Sequence, residues 1–442
     1  MEADTAGYRG RALELLKGAN LTVGDIIRVE EGDSVHEGTL LPRAVYGDDS
    51  HVVLKLKSGY NIGIEISGEA RVTFLGHGEK PAFRSSPQPD MRSDLPRTAI
   101  ISTGGTIASR VDYRTGSVLP ALNARDLYHF VPELADIAAV ETEILYGEFS
   151  ENLGPKHWKE MALAVARQIR QGKQGVVLSH GTDTMGYTAA ALSFSLRDLP
   201  VPVIIVGSQR SSDRPSSDAA SNLVAATTVA ARAPIAEVVL LMHESTSDEY
   251  AAIHRGTRVR KCHTSSRDAF ESINSPPLGR ISLKDGKIEM SEEPHRDRDP
   301  SRDVIVKAEF EEKVALVKFY PNMDPNIFDW LIDRSYRGIV IEGSGLGHVS
   351  RACFAPIKRA VDTGVVIGMT SQCIWGAVNM NVYETGRDLL AIGVQPLGDM
   401  LAETAYIKMM WALGQTKDAQ EARRIMVSNI SGEMADRRLN SA

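Results

Sequence analysis

Three short polar segments of this sequence contain side chains that could carry out chemistry together. The first, TGGTIAS, contains Thr106; the second, GTDT, contains Thr182 and Asp183; the third, RVRK, ends on Lys261. A threonine hydroxyl is a weak nucleophile until a base takes its proton, and a lysine amine oriented by a carboxylate can act as that base. These residue types therefore predict nucleophilic catalysis by a threonine, with a second hydroxyl available to anchor substrate.

Each segment also has an ordinary structural explanation. Thr and Asp are common N-cap residues, and GTDT directly precedes an alanine-rich helical stretch that begins near Met185. Glycine pairs are common in tight turns between a strand and a helix, and a lysine beside Arg258 and Arg260 is usually a solvated surface cation. From these residues alone, capping and solvation stay open beside chemistry.

Nucleotide and metal sites are not predicted for this chain. TGGTIAS is not followed by the Lys-Ser/Thr pair of a phosphate loop, and the sequence contains no G-x-G-x-x-G fingerprint. The eleven histidines show no H-E-x-x-H or other paired spacing, and the cysteines fit no zinc spacing. We therefore expect no cofactor and no metal in this chain.

Strands must place the polar segments at one edge of a sheet. From about residue 97 onward, apolar β-branched runs alternate with helical patterns, which predicts mainly parallel sheets covered by helices on both faces. The predicted strands are 98–103, 175–179, 201–207, 237–243, 313–320, 338–343 and 365–371. TGGTIAS and GTDT each follow such a strand, so both are expected at the carboxyl edge, where ligands bind.

Changes in composition predict several regions along the chain. Short β-rich runs separated by Gly, Asp and Ser favour a small all-β barrel before the α/β part, and a Pro- and Ser-containing stretch favours a linker after it. The predicted regions are 1–77 (an arm and the small barrel), 78–96 (a linker), 97–283 (a first α/β domain), 284–311 (a charged linker) and 312–442 (a second α/β domain and tail).

Length and composition restrict the class of protein further. The chain has 442 residues with 43% hydrophobic and 24% charged residues, which is typical of a water-soluble globular protein, and no apolar run approaches the length of a membrane span. Three scattered cysteines favour a reducing, cytoplasmic location. The net charge of −7 argues against a chain that binds nucleic acid alone, so any RNA would be bound mostly by a partner.

TGGTIAS, GTDT and the downstream lysine resemble, in order and approximate separation, the bacterial-type L-asparaginase and glutaminase family over about residues 97–415. The β-rich extension before them resembles that of one branch of the family, the D subunits of archaeal glutamyl-tRNA(Gln) amidotransferases. This resemblance implies an α/β fold of two asparaginase-like domains with doubly wound, parallel-type sheets, preceded by the small barrel. It also implies a homodimer.

The resemblance also implies roles for individual residues. Thr106 matches the nucleophile position of the first block, whereas Thr182, Asp183 and Lys261 match the second threonine, its carboxylate and its lysine. Ser150 and Glu151 in GEFSENL match substrate-binding positions, and Tyr113 matches the flap tyrosine. Glu384 is a candidate for the group that activates Thr106. Which threonine forms the covalent bond, and what activates Thr106, are left open.

For the whole protein, the resemblance implies an ammonia-generating glutaminase subunit with a Thr nucleophile. A second subunit, of the E type, would bind Glu-tRNA(Gln), activate it with ATP and Mg²⁺, and amidate it to Gln-tRNA(Gln) within a heterotetramer. Two alternatives remain: a free-standing L-asparaginase or glutaminase with an accessory barrel, and a non-catalytic docking scaffold. The sequence does not decide between glutamine and asparagine, and it does not show what the barrel or the partner contacts.

Overall fold

The computed structural model describes residues 7–32, 34–43, 48–56, 61–77, 94–105, 109–111, 118–120, 131–210 and 217–435. The chain forms two compact units. The smaller unit comprises Met1–Pro87, Ser109–Ala121 and Arg210–Ser217, and the larger unit comprises Gln88–Ala108, Leu122–Gln209 and Asp218–Ala442.

Strands and helices are numbered here in chain order. The strands are β1 (Asp25–Glu31), β2 (Ser34–Leu40), β3 (His51–Leu56), β4 (Asn61–Glu65), β5 (Arg71–His77), β6 (Arg97–Gly104), β7 (Ser109–Val111), β8 (Val118–Pro120), β9 (Ala139–Glu148), β10 (Val176–Ser179), β11 (Leu196–Arg197), β12 (Val203–Val206), β13 (Val238–His243), β14 (Tyr250–Arg255), β15 (Val259–Lys261), β16 (Phe270–Ser272), β17 (Gly279–Ser282), β18 (Ile288–Met290), β19 (Ile305–Val306), β20 (Val314–Lys318), β21 (Gly338–Gly343), β22 (Val366–Ser371) and β23 (Gln395–Pro396). The α-helices are α1 (Gly10–Gly18), α2 (Pro155–Arg170), α3 (Met185–Ser195), α4 (Ala219–Arg232), α5 (Asn326–Asp333), α6 (Phe354–Asp362), α7 (Glu384–Ala391), α8 (Ala402–Gln415) and α9 (Ala419–Met426).

The smaller unit contains an antiparallel sheet of five strands in the order β4-β3-β2-β1-β5. Alternate residues of β1, such as Ile27 and Val29, are fully buried, and they share a core with Leu16 of α1. The remaining residues of that strand lie toward the other face, as expected for a sheet with one covered face. Of the predicted small all-β barrel at the N-terminus, a small domain of antiparallel strands is confirmed.

The first half of the larger unit is an eight-stranded sheet in the order β18-β17-β14-β13-β12-β10-β6-β9. The five neighbours β9, β6, β10, β12 and β13 are parallel, and β14, β17 and β18 extend the sheet with antiparallel pairs. Alternate residues face opposite cores: Ile101 and Leu178 pack with α2 and α3, whereas Ile100 and Val177 pack with α4. Both faces are covered, which explains the continuous apolar runs of these strands.

The second half of the larger unit is a parallel sheet of four strands in the order β20-β21-β22-β23. Val340 of β21 packs under α8, and its neighbours Ile339 and Ile341 pack with α5, α6 and α7 on the other face. The ring of Phe194 in α3 stacks on that of Trp411 in α8, with centroids 5.8 Å apart. The predicted α/β fold class, with helices on both faces of two mainly parallel sheets after a small β domain, is confirmed.

Residues 284–311 have more structure than their dense charge indicates. Ile288–Met290 forms the edge strand β18 against β17, and Ile305–Val306 pairs with Leu196–Arg197. Between these strands, the Arg298 guanidinium donates to the backbone carbonyls of Ala230 and Ala233. The segment therefore packs along the first α/β half.

None of the helices in the described residues is long and apolar enough to cross a membrane.

Candidate active site

Two glycine-containing turns contact each other at the carboxyl edge of the large sheet. Strands β6 and β10 are parallel neighbours, with Ser102 opposite Ser179, so their following turns start at the same level. Gly104 and Gly105 adopt φ angles of 107° and 78°, which favour glycine. A Cβ added to Gly105 would lie 2.4 Å from the backbone nitrogen of Gly181. The first polar segment is thus brought against the second, as predicted.

Thr103 joins the ends of these two strands. Its side chain is fully buried, and its hydroxyl donates to the carbonyl oxygen of Ser179 at 2.8 Å. Thr106 follows the turn by one residue, but Thr106 and Tyr113 lie outside the described residues. The roles predicted for these two residues stay predictions.

Lys261 contacts two of the three polar side chains of the GTDT segment, those of Thr182 and Asp183. Its Nζ lies 2.8 Å from Thr182 Oγ1 and 2.7 Å from Asp183 Oδ1. The lysine side chain is only 14% exposed, whereas that of Asp183 is 71% exposed. Seventy-eight or more residues separate the lysine from its partners in sequence. The structure therefore brings these three predicted residues into one hydrogen-bonded group, and the lysine is not a solvated surface cation.

The threonines of GTDT do not act as side-chain caps of the helix that follows. Helix α3 begins at Met185, and its N-cap residue Thr184 makes no side-chain capping bond. Instead, the Thr184 hydroxyl donates to the carbonyl oxygen of Ser150 at 2.6 Å. Because the Thr182 hydroxyl is bonded to Lys261, both hydroxyls are committed to tertiary contacts.

Ser150 lies against the same turn. It is buried, and a Cβ added to Gly181 would lie 2.9 Å from the Ser150 Cβ, so only glycine allows this close approach. Glu151, the next residue, is exposed to solvent. A buried serine thus lies against Gly181, and an exposed carboxylate follows it in the chain, an arrangement compatible with their predicted contact to the amino-acid substrate.

His180 was not predicted as part of the site, yet it determines the geometry of the GTDT turn. Its ring is fully buried, with Nδ1 2.7 Å from the Gly181 carbonyl oxygen and Nε2 2.9 Å from Thr188 Oγ1. Burial lowers the pKa of His180 to about 4, so the ring is neutral. Because a carbonyl only accepts, the proton is assigned to Nδ1, and Thr188 donates to Nε2. The Trp158 indole donates to Thr188 in turn, at 3.1 Å.

Glu384 and Arg258 differ in their exposure to solvent. Glu384 is the first residue of α7, and its carboxylate makes an exposed ion pair with Arg351 at 3.5 Å. Arg258, which lies beside Lys261 in the basic stretch, is 2% exposed, and its Nη1 donates to Asp399 Oδ2 at 2.8 Å. The basic stretch that contains Lys261 is therefore partly internal, a fact that charge pattern alone did not indicate.

Chemically, this arrangement can move a proton. A neutral amine at Lys261 can accept the hydroxyl proton of Thr182 across 2.8 Å, and the Asp183 carboxylate then stabilises the ammonium. Within the described ranges, no group of three or more His, Cys, Asp and Glu side chains is placed to hold a metal ion.

Comparison with known proteins defines the class of this fold. Residues 97–296 match the family model of the asparaginase N-terminal domain, and residues 313–426 match that of the glutaminase/asparaginase C-terminal domain. A solved L-asparaginase from Thermococcus kodakarensis has 32% identity and a TM-score of 0.68, covering 77% of this chain and 100% of that one. L-asparaginase I from Vibrio cholerae has 29% identity and the same TM-score, covering 77% and 99%. The fold is that of the L-asparaginases.

The extension before this fold and the full-length relatives define the branch. Residues 21–75 match the family model of the GatD N-terminal domain. The D subunit of glutamyl-tRNA(Gln) amidotransferase from Pyrococcus furiosus is 51% identical over 96% of this chain and 97% of its own length. The protein of the same name from Methanopyrus kandleri is 49% identical, over 97% and 94%. The chain belongs to the family of glutamyl-tRNA(Gln) amidotransferase D subunits, which confirms the resemblance found in the sequence.

Proposed function

We propose that this chain is the glutaminase subunit of a tRNA-dependent amidotransferase, and that it releases ammonia from glutamine for the conversion of Glu-tRNA(Gln) to Gln-tRNA(Gln). The observation that carries the proposal is the contact of Lys261 Nζ with Thr182 and Asp183, next to the turn that precedes Thr106. The near-full-length relatives from Pyrococcus furiosus and Methanopyrus kandleri are D subunits, and they favour this function over a free-standing asparaginase, since they match this chain through its N-terminal extension as well.

In the first step, a threonine hydroxyl attacks the side-chain amide carbon of glutamine. We assign this role to Thr106 by preference. The hydroxyl oxygen forms an ester bond with that carbon, the hydroxyl proton passes to the amide nitrogen, and ammonia leaves. Backbone N–H groups of the glycine turn would stabilise the negative charge on the substrate oxygen.

In the second step, water hydrolyses the glutamyl ester. Thr182 and Lys261 would take a proton from the attacking water, and Asp183 would hold the resulting ammonium in place. Ser150 and Glu151 would bind the α-amino and α-carboxylate groups of the substrate, which orients its amide toward the threonines. The products are glutamate and the regenerated hydroxyl.

The remaining chemistry would take place on a second subunit. The names of the relatives describe subunits of an amidotransferase, so we propose that this chain also works in a complex with other subunits. In the proposed complex, a homodimer of this chain binds a cytoplasmic partner of the E type, which binds most of the tRNA and uses ATP and Mg²⁺ to activate its terminal glutamate. Ammonia then passes from this chain to the partner.

The proposal is tested by measuring ammonia release from glutamine with the partner subunit and Glu-tRNA(Gln) present. Thr182→Val and Lys261→Met are each expected to lower kcat by about 10²- to 10⁴-fold, since each removes one group of a proton-transfer pathway. Lys173→Met is a matched control, because this buried lysine is ion-paired with Glu141 at the opposite end of β10.

The alternatives give different results in the same assay. A free-standing asparaginase or glutaminase would hydrolyse amide rapidly without partner or tRNA, whereas an amidotransferase subunit is expected to respond to both. A docking scaffold would show the same ammonia release in Lys261→Met, Lys173→Met and the unchanged chain. Either of these results contradicts the proposal.

A further inference from the structure

Lys261 is the last residue of the first strand of a short hairpin. Strands β15 and β16 pair over only three residues each, with Lys261 opposite Phe270. A hairpin this short has little intrinsic stability, so tertiary contacts must fix the lysine within hydrogen-bonding reach of Thr182. The contacts that do so identify the positioning residues of the site.

Arg258, directly before this hairpin, adds polar contacts to the core packing of Val259 and Phe270. Its Nη1 donates to Asp399 Oδ2 at 2.8 Å, and its Nε donates to the carbonyl oxygen of Gly432 at 2.8 Å. The backbone carbonyl of Arg258 accepts from the amide of Ile273 at the end of the hairpin. A planar guanidinium that donates in two directions fixes the backbone more firmly than an ammonium on a flexible stem.

The second partner of Arg258 belongs to a segment that we call the C-terminal strap, residues 428–435. The strap also accepts a hydrogen bond from the neighbouring Thr257, whose hydroxyl lies 2.9 Å from the Ser431 carbonyl oxygen. Within the strap, the Glu433 carboxylate is fully buried and ion-paired with Lys408 of α8. The strap is therefore anchored in the second α/β half and contacts the segment that leads into the strand of Lys261.

Asp399 connects the same hairpin to the strap and to the second half. Its Oδ1 accepts from the backbone amide of Ala435 at 3.1 Å, while its backbone carbonyl accepts from the Asn274 side chain at 3.0 Å. Asn274 follows the hairpin by two residues, so Asp399 is linked to both ends of it. Arg258, Asp399 and the strap thus form one hydrogen-bonded network outside the proton relay.

We propose that Arg258, held by Asp399 and the C-terminal strap, is a positioning residue that keeps Lys261 Nζ within reach of Thr182 and Asp183. This inference rests on the proposed function, because it assigns Lys261 the proton-transfer role described above. The Arg258 guanidinium donates to Asp399 and to the strap rather than to the relay, so its effect reaches Lys261 through three residues of backbone.

The test uses Arg258→Lys in the full chain, assembled with its partner, and Asp399→Asn as a second variant in case the first folds poorly. Both are expected to lower kcat for ammonia release by about tenfold to a hundredfold, with KM within about twofold, since misplacing one group by about 1 Å can cost that much. Arg337→Lys is the matched control. Its guanidinium also bonds a carboxylate, that of Glu311, and a backbone carbonyl, that of Leu413, but at the amino end of β21.

A second readout does not depend on activity. Acetylation of Lys261 by a limiting amount of a water-soluble succinimidyl ester, quantified by mass spectrometry, measures how well the amine is sheltered. In the unchanged chain, Lys261 is expected to react slowly, because it is engaged at 2.8 and 2.7 Å. In Arg258→Lys and Asp399→Asn its rate should rise by about fivefold or more, and in Arg337→Lys it should not change.

The positioning role is overturned if acetylation of Lys261 and kcat are unchanged in both variants, or if the Arg337→Lys control changes as much as they do. Failure of the proposed function is distinguishable from this. If Lys261→Met retains ammonia release, the proton relay is wrong, whereas the acetylation rates still decide whether Arg258 holds Lys261 in place.

Discussion

The ion pair between Lys408 and Glu433 offers a quantitative test of how the C-terminal strap is held. Both side chains are fully buried. The carboxylate also accepts from the backbone amides of Ile430 and Ser431, and the lysine amine donates to the carbonyl oxygen of Met426 at 3.1 Å. Burial lowers the pKa of Lys408, and the neighbouring Glu433 opposes that shift. The pair therefore connects strap and helix without contact to solvent.

Removing one member leaves the other charge buried without its partner. Lys408→Met and Glu433→Gln are each expected to lower the free energy of unfolding by about 3–5 kcal/mol. The double variant is expected to lose less than the sum of the single losses, with a coupling energy of about 2–3 kcal/mol, because it buries no isolated charge. Lys358→Met is the control: Lys358 pairs with Asp362 on exposed helix surface, a contact worth at most about 0.5 kcal/mol.

The assay is unfolding of the purified chain in urea, combined with hydrogen exchange of the strap amides followed by mass spectrometry. Both single variants should exchange faster at Ile430 and Ser431, whereas Lys358→Met should not. Additive losses in the double variant, or single losses no larger than that of Lys358→Met, would refute the reasoning.

Three further outcomes are expected. Asp183→Asn should lower kcat by only about fivefold, because the Asp183 carboxylate is 71% exposed and its ion pair with Lys261 is therefore worth at most about 1 kcal/mol; a loss above a hundredfold contradicts this estimate. Glu151→Ala should raise KM for glutamine about tenfold with kcat within about twofold, as measured by steady-state ammonia release, if the exposed carboxylate binds only the substrate's α-amino group. Burial lowers the pKa of His254 from 6.5 to about 4, so the unfolded chain takes up a proton first and stability falls as the pH drops from about 6.5 to about 4. Between pH 7.5 and 5, urea unfolding of His254→Asn should therefore lose about 2 kcal/mol less stability than the unchanged chain; an equal loss rules out this source of acid sensitivity.

The strands that hold the site could be predicted because each is buried on both faces. Val176–Ser179 and Val203–Val206 are continuous apolar runs, and such runs have no other stable place than the middle of a covered parallel sheet. Strand Ala139–Glu148 was missed, since it lies at the sheet edge and carries four polar residues among its ten. Strand Tyr250–Arg255 was missed because alanine, histidine and arginine have little β preference by themselves, although the strand is buried.

At the site, motif order predicted which segments meet, but not how they are supported. The contact between Lys261 and Thr182 could be predicted, because a threonine hydroxyl needs a base before it can react and the lysine can supply one. The burial of Arg258 could not be predicted, because its partner Asp399 lies 141 residues further along the chain, in a loop without a recognisable motif. His180 gave a weak signal: a histidine directly after an apolar strand is buried by the next strand and helix, and its neutral form follows from that burial.

We propose above that this chain supplies ammonia from glutamine through Lys261 and the threonines. The most direct measurement compares two nitrogen sources for amidation of Glu-tRNA(Gln) by the reconstituted complex: glutamine and ammonium chloride. With Lys261→Met in place of the unchanged chain, glutamine-dependent amidation is expected to fall by about 10²-fold or more, while ammonium-dependent amidation is retained. Equal activity with glutamine in both complexes would contradict the claim.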